Sequence, residues 1–141
     1  MMKKYSLYTL ICASLLILIL SSCQISNQSD QVEVSKEPKE LETFYPGDIT
    51  QVDSIRMMSS DGTKKTTTDQ ALIKEWIEKV RHLKIVIDPD QEDTTGVLFY
   101  VTMFEQGKKM LNMTPTTMNN QRMEPQSELA DRMTELYDAI K

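Results

Sequence analysis

The stretch that decides the fold is Val97-Leu98-Phe99-Tyr100-Val101-Thr102-Met103-Phe104. It is rich in β-branched and aromatic residues on both of its alternating faces, which is the composition that strands favour. We therefore predict that residues 97–104 form the central strand of a sheet. Gln106-Gly107 is a turn signal, and it should return the chain into a neighbouring strand over residues 109–113.

The flanking segments predict further strands. Apolar residues alternate irregularly over 49–58, and the hairpin signal Asp61-Gly62 should return that strand over 64–67. A brief apolar run at 85–87 predicts a short strand. After Pro115, residues 118–123 should add an edge strand, which Pro125 ends.

Two segments show the period of an amphipathic helix. One should begin after a cap at Thr68 or Asp69 and run to about Leu83, and the other should begin with Ser127 as its cap. Each places its apolar side chains on a single face. These are Leu72, Ile73, Trp76, Ile77, Val80 and Leu83 in the first helix, and Leu129, Ala130, Met133, Leu136, Tyr137 and Ile140 in the second.

Together these elements predict an α+β fold with the order ββαβββα. Hairpin-linked strands favour an antiparallel sheet of four to six strands, and two helices with one apolar face each should cover one side of it. We expect a single small domain over residues 44–141, beginning at the aromatic pair Phe44-Tyr45. Residues 23–43 are mostly polar, so we expect a flexible tether there.

The first residues form a targeting segment. Lys3 and Lys4 precede an uncharged run from Tyr8 to Leu20 that is too short to span a bilayer, and Leu20-Ser21-Ser22-Cys23 follows it. These four residues resemble the lipobox of bacterial prolipoproteins. The resemblance implies that residues 1–22 are a signal peptide cleaved between Ser22 and Cys23. It further implies that Cys23 becomes an S-diacylglycerol, N-acylated cysteine, where several acyl chains give stable anchoring.

Two alternative interpretations of this segment stay open, an ordinary secretory signal peptide that happens to end near a cysteine and an uncleaved short anchor. In layout, with a lipobox, a polar tether and one small domain, the chain resembles small lipoproteins of Bacillus-type bacteria. That resemblance implies a position on the extracytoplasmic side of the cell membrane. It brings no functional residue other than Cys23.

The charge of the mature chain disfavours some partners. Loss of residues 1–22 would remove Lys3 and Lys4 but no acid, leaving fourteen basic residues against twenty-one acidic ones. Nucleic acid needs clustered basic residues, so it is a poor candidate, and so are anionic lipid head groups. Cys12 would leave with the signal peptide and Cys23 would carry lipid, so we expect no disulfide.

Three groups of residues could bind a metal. Asp88, Asp90 and Glu92 match the first ligand positions of a calcium loop, but Asp93 stands at the turn glycine and Phe99 at the final glutamate. His82 is the single histidine and could share a metal with Glu78. Soft thioethers could collect Cu(I), but the methionines in strand positions are more simply core residues or the lining of a peptide groove. They are Met103, Met110, Met113, Met118 and Met123.

Enzymatic activity has no support in the sequence. Neither a nucleophile elbow nor a phosphate-binding glycine motif occurs, and we expect no cofactor. We therefore expect a lipid-anchored, non-enzymatic module that binds an unknown envelope protein. Two alternatives stay open, a lipoprotein that binds calcium, copper or another ligand, and an enzyme with an unrecognised pair of carboxylates.

Overall fold

The computed structural model describes residues 36–92 and 98–141. Residues 1–35, which include Cys23 and most of the predicted tether, lie outside this description, as do residues 93–97. In the described part of the chain, no helix combines the length and the apolar character needed to cross a bilayer.

The fold is α+β, as the sequence predicts. The elements are β1 (Lys39–Glu40), two short 3-10 helices (Leu41–Phe44 and Ile49–Gln51), β2 (Ser54–Ser59), β3 (Lys64–Thr67), α1 (Gln70–Val80), β4 (Lys84–Ile85), β5 (Phe99–Glu105), β6 (Lys108–Thr114), β7 (Thr117–Met118), β8 (Gln121–Arg122) and α2 (Ser127–Ala139). A six-stranded antiparallel sheet has the order β3-β2-β5-β6-β7-β8, and a two-stranded sheet pairs β1 with β4.

The predicted central strand is confirmed, because β5 lies between β2 and β6. Its two faces differ, however. Val101 and Met103 are buried in the core, whereas Tyr100 on the opposite face is 46% exposed. The turn after β5 has positive φ at both Gln106 and Gly107, which is the type I′ geometry that suits a tight hairpin.

Both helices pack on the inward face of this sheet, and each buries the apolar stripe that its sequence predicts. The fully or nearly buried helix residues are Ile73, Trp76, Ile77, Val80, Leu129, Met133 and Leu136. Trp76 Nε1 donates to the carbonyl oxygen of Arg132 at 2.8 Å, which ties α1 to α2. Lys65 Nζ on β3 donates to the carbonyl oxygens of Tyr137 and Ile140, both at 2.9 Å, and so caps the end of α2.

Several predicted boundaries need correction. The segment 49–58 is a 3-10 turn followed by a strand that starts at Ser54, because Asp48 caps that turn through the amide of Thr50. The first helix is capped by Asp69 but ends at Val80 instead of Leu83. The N-cap of α2 is Gln126, and Ser127 is its first residue.

The segments 85–87 and 118–123 are also more broken than predicted. The strand β4 stops at Ile85, and Ile87 forms only an isolated bridge with Met123. The predicted edge strand is a small hairpin of β7 and β8, turned by Asn119 and Asn120, which both have positive φ.

The folded domain begins before residue 44, so the predicted end of the tether at Thr43 is wrong. β1 pairs with β4, and the adjoining Leu41 is completely buried in the core. The amide of Leu41 also donates to the carbonyl oxygen of Leu83 at 2.9 Å. A tether could therefore extend no further than about Pro38.

Truncation of Leu41 tests this earlier boundary. Leu41→Ala should lower the free energy of unfolding by about 2–5 kcal/mol, because it removes a fully buried side chain and leaves a cavity. Urea unfolding followed by circular dichroism measures the change. The exposed neighbour Lys39 is the control, and Lys39→Ala should stay within about 0.5 kcal/mol of the wild type. Equal stability of the two variants would return residues 39–43 to the tether.

Candidate functional site

The sheet has one face that the helices do not cover. Residues that lie directly opposite each other in neighbouring antiparallel strands project to the same side. Arg56 pairs with Thr66 and Thr102, and Met58 pairs with Lys64 and Tyr100. Over β3, β2, β5 and β6 as far as Asn112, the outer sheet face consists of Ser54, Arg56, Met58, Lys64, Thr66, Tyr100, Thr102, Phe104, Lys109 and Asn112.

A β-bulge determines which side chain of β6 lies on part of this surface. The register between β5 and β6 shifts after Met103, so that Lys109 lies opposite Phe104. A regular register would place Met110 there, because Met103 pairs with Leu111. The extra residue thus brings a cation to the outer sheet face and leaves Met110 half-buried.

The outer sheet face is cationic and partly apolar. Arg56, Lys64 and Lys109 are basic and exposed, and no member of the set is acidic. The guanidinium carbon of Arg56 lies 5.1 Å from the centre of the Phe104 ring, within the range of a cation–π contact. Beside it, Tyr100 is 46% exposed, and Leu98, just before β5, is 55% exposed.

These three cations differ from the ion-paired cations of the described residues. Lys79, Arg81, Lys84 and Arg132 all form ion pairs with nearby glutamates. No described carboxylate pairs with any of the three cations of the outer sheet face. Their charges therefore stay available to an external anion.

Two of the acids that follow or precede these strands are engaged elsewhere. Asp53 Oδ2 accepts a hydrogen bond from the amide of Gln106 at 2.6 Å. Glu105 accepts one from the hydroxyl of the buried Tyr45 at 3.2 Å. Burial, and secondly this hydrogen bond, raises the pKa of Tyr45 well above its ordinary value, so that its hydroxyl remains a donor. Neither carboxylate neutralises the outer sheet face.

A second cluster lies where β1 meets the end of α1. Potential ligand atoms of Glu40, Glu42 and His82 lie within 4.8 Å of one another, the one such group of three found in the described residues. Sequence reasoning missed it, because Glu40 and Glu42 fall in the predicted tether. The pairing considered for His82 and Glu78 is also wrong, since Glu78 binds Arg81 Nη1 at 3.0 Å.

The geometry of this cluster is that of an ion-pair network. Glu40 Oε1 lies 2.8 Å from Lys84 Nζ, and its Oε2 lies 3.0 Å from His82 Nδ1. Glu42 Oε2 lies 3.2 Å from Arg81 Nε, which also donates to His82 Nε2 at 3.1 Å. Two cations thus balance the two carboxylates, and both ring nitrogens of His82 have partners. We call this network the β1 ion-pair cluster, and its arrangement fixes β1 to the end of α1.

The β1 ion-pair cluster should make stability depend on pH. Hydrogen bonds from Lys84, and secondly from His82, lower the pKa of Glu40 from 4.5 to about 2. A carboxyl whose pKa is lower in the folded chain stabilises the fold above its unfolded pKa, and that stabilisation is lost as the pH falls through the folded value. The free energy of unfolding should therefore fall between pH 4.5 and about 2, and Glu40→Gln should lose less over this range.

Chemical unfolding of both proteins at several pH values measures this difference. Glu124→Gln is the control, because Glu124 is an exposed glutamate outside the cluster, and it should keep the wild-type dependence. A Glu40→Gln protein with the same loss of stability as the wild type would show that the cluster does not hold β1.

The acidic loop does not assemble the predicted cation site within its described residues. Asp88 Oδ1 lies 3.0 Å from Lys36 Nζ and also accepts a hydrogen bond from the amide of Asp90 at 3.2 Å. The hydrogen bond from Lys36 is the main cause of the lowered pKa of Asp88. Asp90 and Glu92 are exposed, and Asp88, Asp90 and Glu92 do not form a group of converging ligand atoms. The next position, Asp93, lies outside the description.

The methionines of the strands are core residues. Met103, Met113, Met118 and Met123 are all at most 2% exposed and belong to one apolar cluster, against which the half-buried Met110 packs. Their thioethers fill space between the sheet and the helices. They do not line an open groove.

Comparisons with protein-family models, with curated proteins and with solved structures find no match to this chain.

Proposed function

We propose that this protein is a lipid-anchored, non-enzymatic binding module on the extracytoplasmic side of the cell membrane. The observation that carries the proposal is the sequence Leu20-Ser21-Ser22-Cys23 at the end of an uncharged run. Cleavage before Cys23 and acylation of its sulfur and amino group would fix the domain to the bilayer surface. Two or more acyl chains are sufficient for stable anchoring.

The outer sheet face supports a binding role for the anchored domain. It combines three cations that have no carboxylate partner among the described residues with exposed aromatic and aliphatic side chains, in a chain that is acidic as a whole. Most surface hydrophobic residues occur singly and need no explanation, but the exposed Tyr100 lies opposite Met58, and the exposed Leu98 comes only two residues before Tyr100. Such a surface is more typical of a binding site than of a surface that contacts only water.

The enzyme alternative has less support. One surface hollow brings together Glu75 and Glu135, which is the kind of carboxylate pair that acid–base catalysis would use. Lys79 Nζ lies 2.9 Å from Glu75 and 3.7 Å from Glu135, between the two. Both carboxylates are exposed and share this cation, so the hollow has the character of a surface ion-pair network.

The metal-binding alternative also has less support. The loop aspartate Asp88 is paired with Lys36, and the strand methionines are buried in the core. Copper or calcium would have to displace contacts that the fold already uses. Calorimetry of the purified chain with Ca²⁺ and with Cu(I) tests this alternative, and a site of defined stoichiometry for either ion would restore it.

The anchor is tested by substitution of each cysteine in turn. Cys23→Ala should give a full-length precursor without lipid, because the residue that is acylated and that defines the cleavage site is gone. Cys12→Ala is the matched control and should be processed normally, because Cys12 lies inside the uncharged run. Mass spectrometry of the N-terminal peptide distinguishes the two results. A lipidated N-terminus in the Cys23→Ala protein would refute the proposed anchor.

A further inference from the structure

We propose that the outer sheet face docks on an anionic phospholipid surface, with its cations at the lipid phosphates and its aromatic side chains in the head-group region. The proposed partner of the binding module is thus a lipid surface. This proposal rests on the proposed function, because the lipid anchor is what brings the domain to a membrane. It also revises the expectation, drawn from net charge, that anionic head groups are poor partners.

Charge complementarity is the first argument. Arg56, Lys64 and Lys109 are exposed on one side of the sheet, and none has a described carboxylate partner. Basic side chains near an anionic leaflet are attracted to it, and each adds to the binding. By contrast, Lys84 is a cation whose charge is already balanced by an adjacent glutamate, Glu40.

The acidic character of the whole chain does not oppose this contact. Electrostatic interactions are screened over about 8 Å at physiological ionic strength. Acids such as Glu75 and Glu128 lie on the solvent side of the helices, and a helix with its side chains is itself about 10 Å across. A surface that touches the sheet therefore experiences the nearby cations much more strongly than the distant acids.

The apolar side chains are the second argument. Leu98 and Tyr100 are the large hydrophobic residues that the described part of the chain leaves exposed. Tyrosine has an apolar ring and a polar hydroxyl, which is the combination found at membrane interfaces. Arg56 lies over Phe104, so its aliphatic stem and that ring present a continuous amphipathic patch. An acidic protein could pair with the cations, but it would explain the exposure of Leu98 and Tyr100 less well.

The length of chain before the domain is the third argument. About fifteen residues separate Cys23 from Lys39, where β1 begins. Even fully extended, a chain of that length spans at most roughly 50 Å. An anchor at Cys23 would therefore keep the domain close enough to the bilayer for frequent contact.

The test places a fluorescent probe on the outer sheet face. Tyr100→Trp is made in the full chain, which is purified and reconstituted into nanodiscs that contain brominated lipids. Bromine quenches tryptophan at short range, and the native Trp76 is 3% exposed in the core on the other side of the sheet. We expect strong quenching in discs with phosphatidylglycerol and little in discs of phosphatidylcholine alone, and the quenching should weaken as salt is added.

Matched neutralisations locate the contact. Arg56→Gln with Lys109→Gln should lower the docking equilibrium constant roughly 30-fold, since two of the cations facing the lipid are removed. Lys74→Gln with Lys141→Gln changes the net charge equally at exposed positions outside the outer sheet face, and should leave quenching unchanged. Circular dichroism of every variant confirms that the fold is retained.

Several results would overturn the proposal. These are no quenching with anionic lipid, equal quenching in both kinds of disc, or equal losses in the two double variants. Emission that changes with protein concentration alone would assign the face to a second copy of the chain. Protection of the introduced indole in native membranes but not in pure lipid would show that an acidic protein is the partner of the outer sheet face.

The quenching measurement does not depend on how the chain is anchored. Nanodiscs hold the protein by whatever hydrophobic anchor it carries, acyl chains or the uncharged N-terminal run. The mass measurement on Cys23→Ala tests the anchor separately. The two measurements together therefore distinguish a protein that docks without being lipidated from one that is lipidated but does not dock.

Discussion

The alternation of side chains along β5 is the constraint on which the rest of the structure depends. Val101 and Met103 point inward and are buried against the helices, each stabilising the fold by about 1.5–3 kcal/mol. Because successive residues in a strand project to opposite sides, Tyr100, Thr102 and Phe104 must then point outward. Because the two α-helices of the described residues both lie on the inward side, they leave the outer sheet face uncovered.

The distribution of charge follows from the same layering. Acids are concentrated on the helices, on the loops and around β1, where several are matched by cations, as Glu40 is by Lys84. The inward cation Lys65 is used to cap α2. Arg56, Lys64 and Lys109 are left on the outer sheet face without such partners among the described carboxylates. A chain of negative net charge thus presents one cationic surface, and that surface is the basis of the proposed role at an anionic membrane.

Much of the fold could be predicted from the sequence, because its signals are local. The helix faces follow from spacing over a few turns, and the turn residues after β5 predict their hairpin directly. The start of the domain could not be found in this way. Leu41 is one aliphatic residue in a polar stretch, and its partner Leu83 is distant in the sequence. Composition averaged over 23–43 conceals such a residue.

The candidate sites were harder to predict for the same physical reason. The β1 ion-pair cluster joins Glu40, which lies in the predicted tether, to His82, which follows the end of α1. The outer sheet face requires the register of four strands, including the bulge that places Lys109 opposite Phe104. Outward positions of β2 and β5 alone would have indicated Arg56 and Tyr100, but not the collected charge. Predicted ligands such as Asp88 are paired locally instead, because a nearby lysine satisfies the carboxylate.

The most direct measurement of the central claim is amine labelling of the chain in intact cells. A membrane-impermeant acylating reagent is applied to cells and to the detergent-solubilised protein, and the modification of each lysine is quantified by mass spectrometry. If the outer sheet face is occupied in its native setting, Lys64 and Lys109 should be protected in cells while the exposed Lys74 on α1 is labelled equally in both samples. Equal labelling of all three lysines in cells and in detergent would contradict the account.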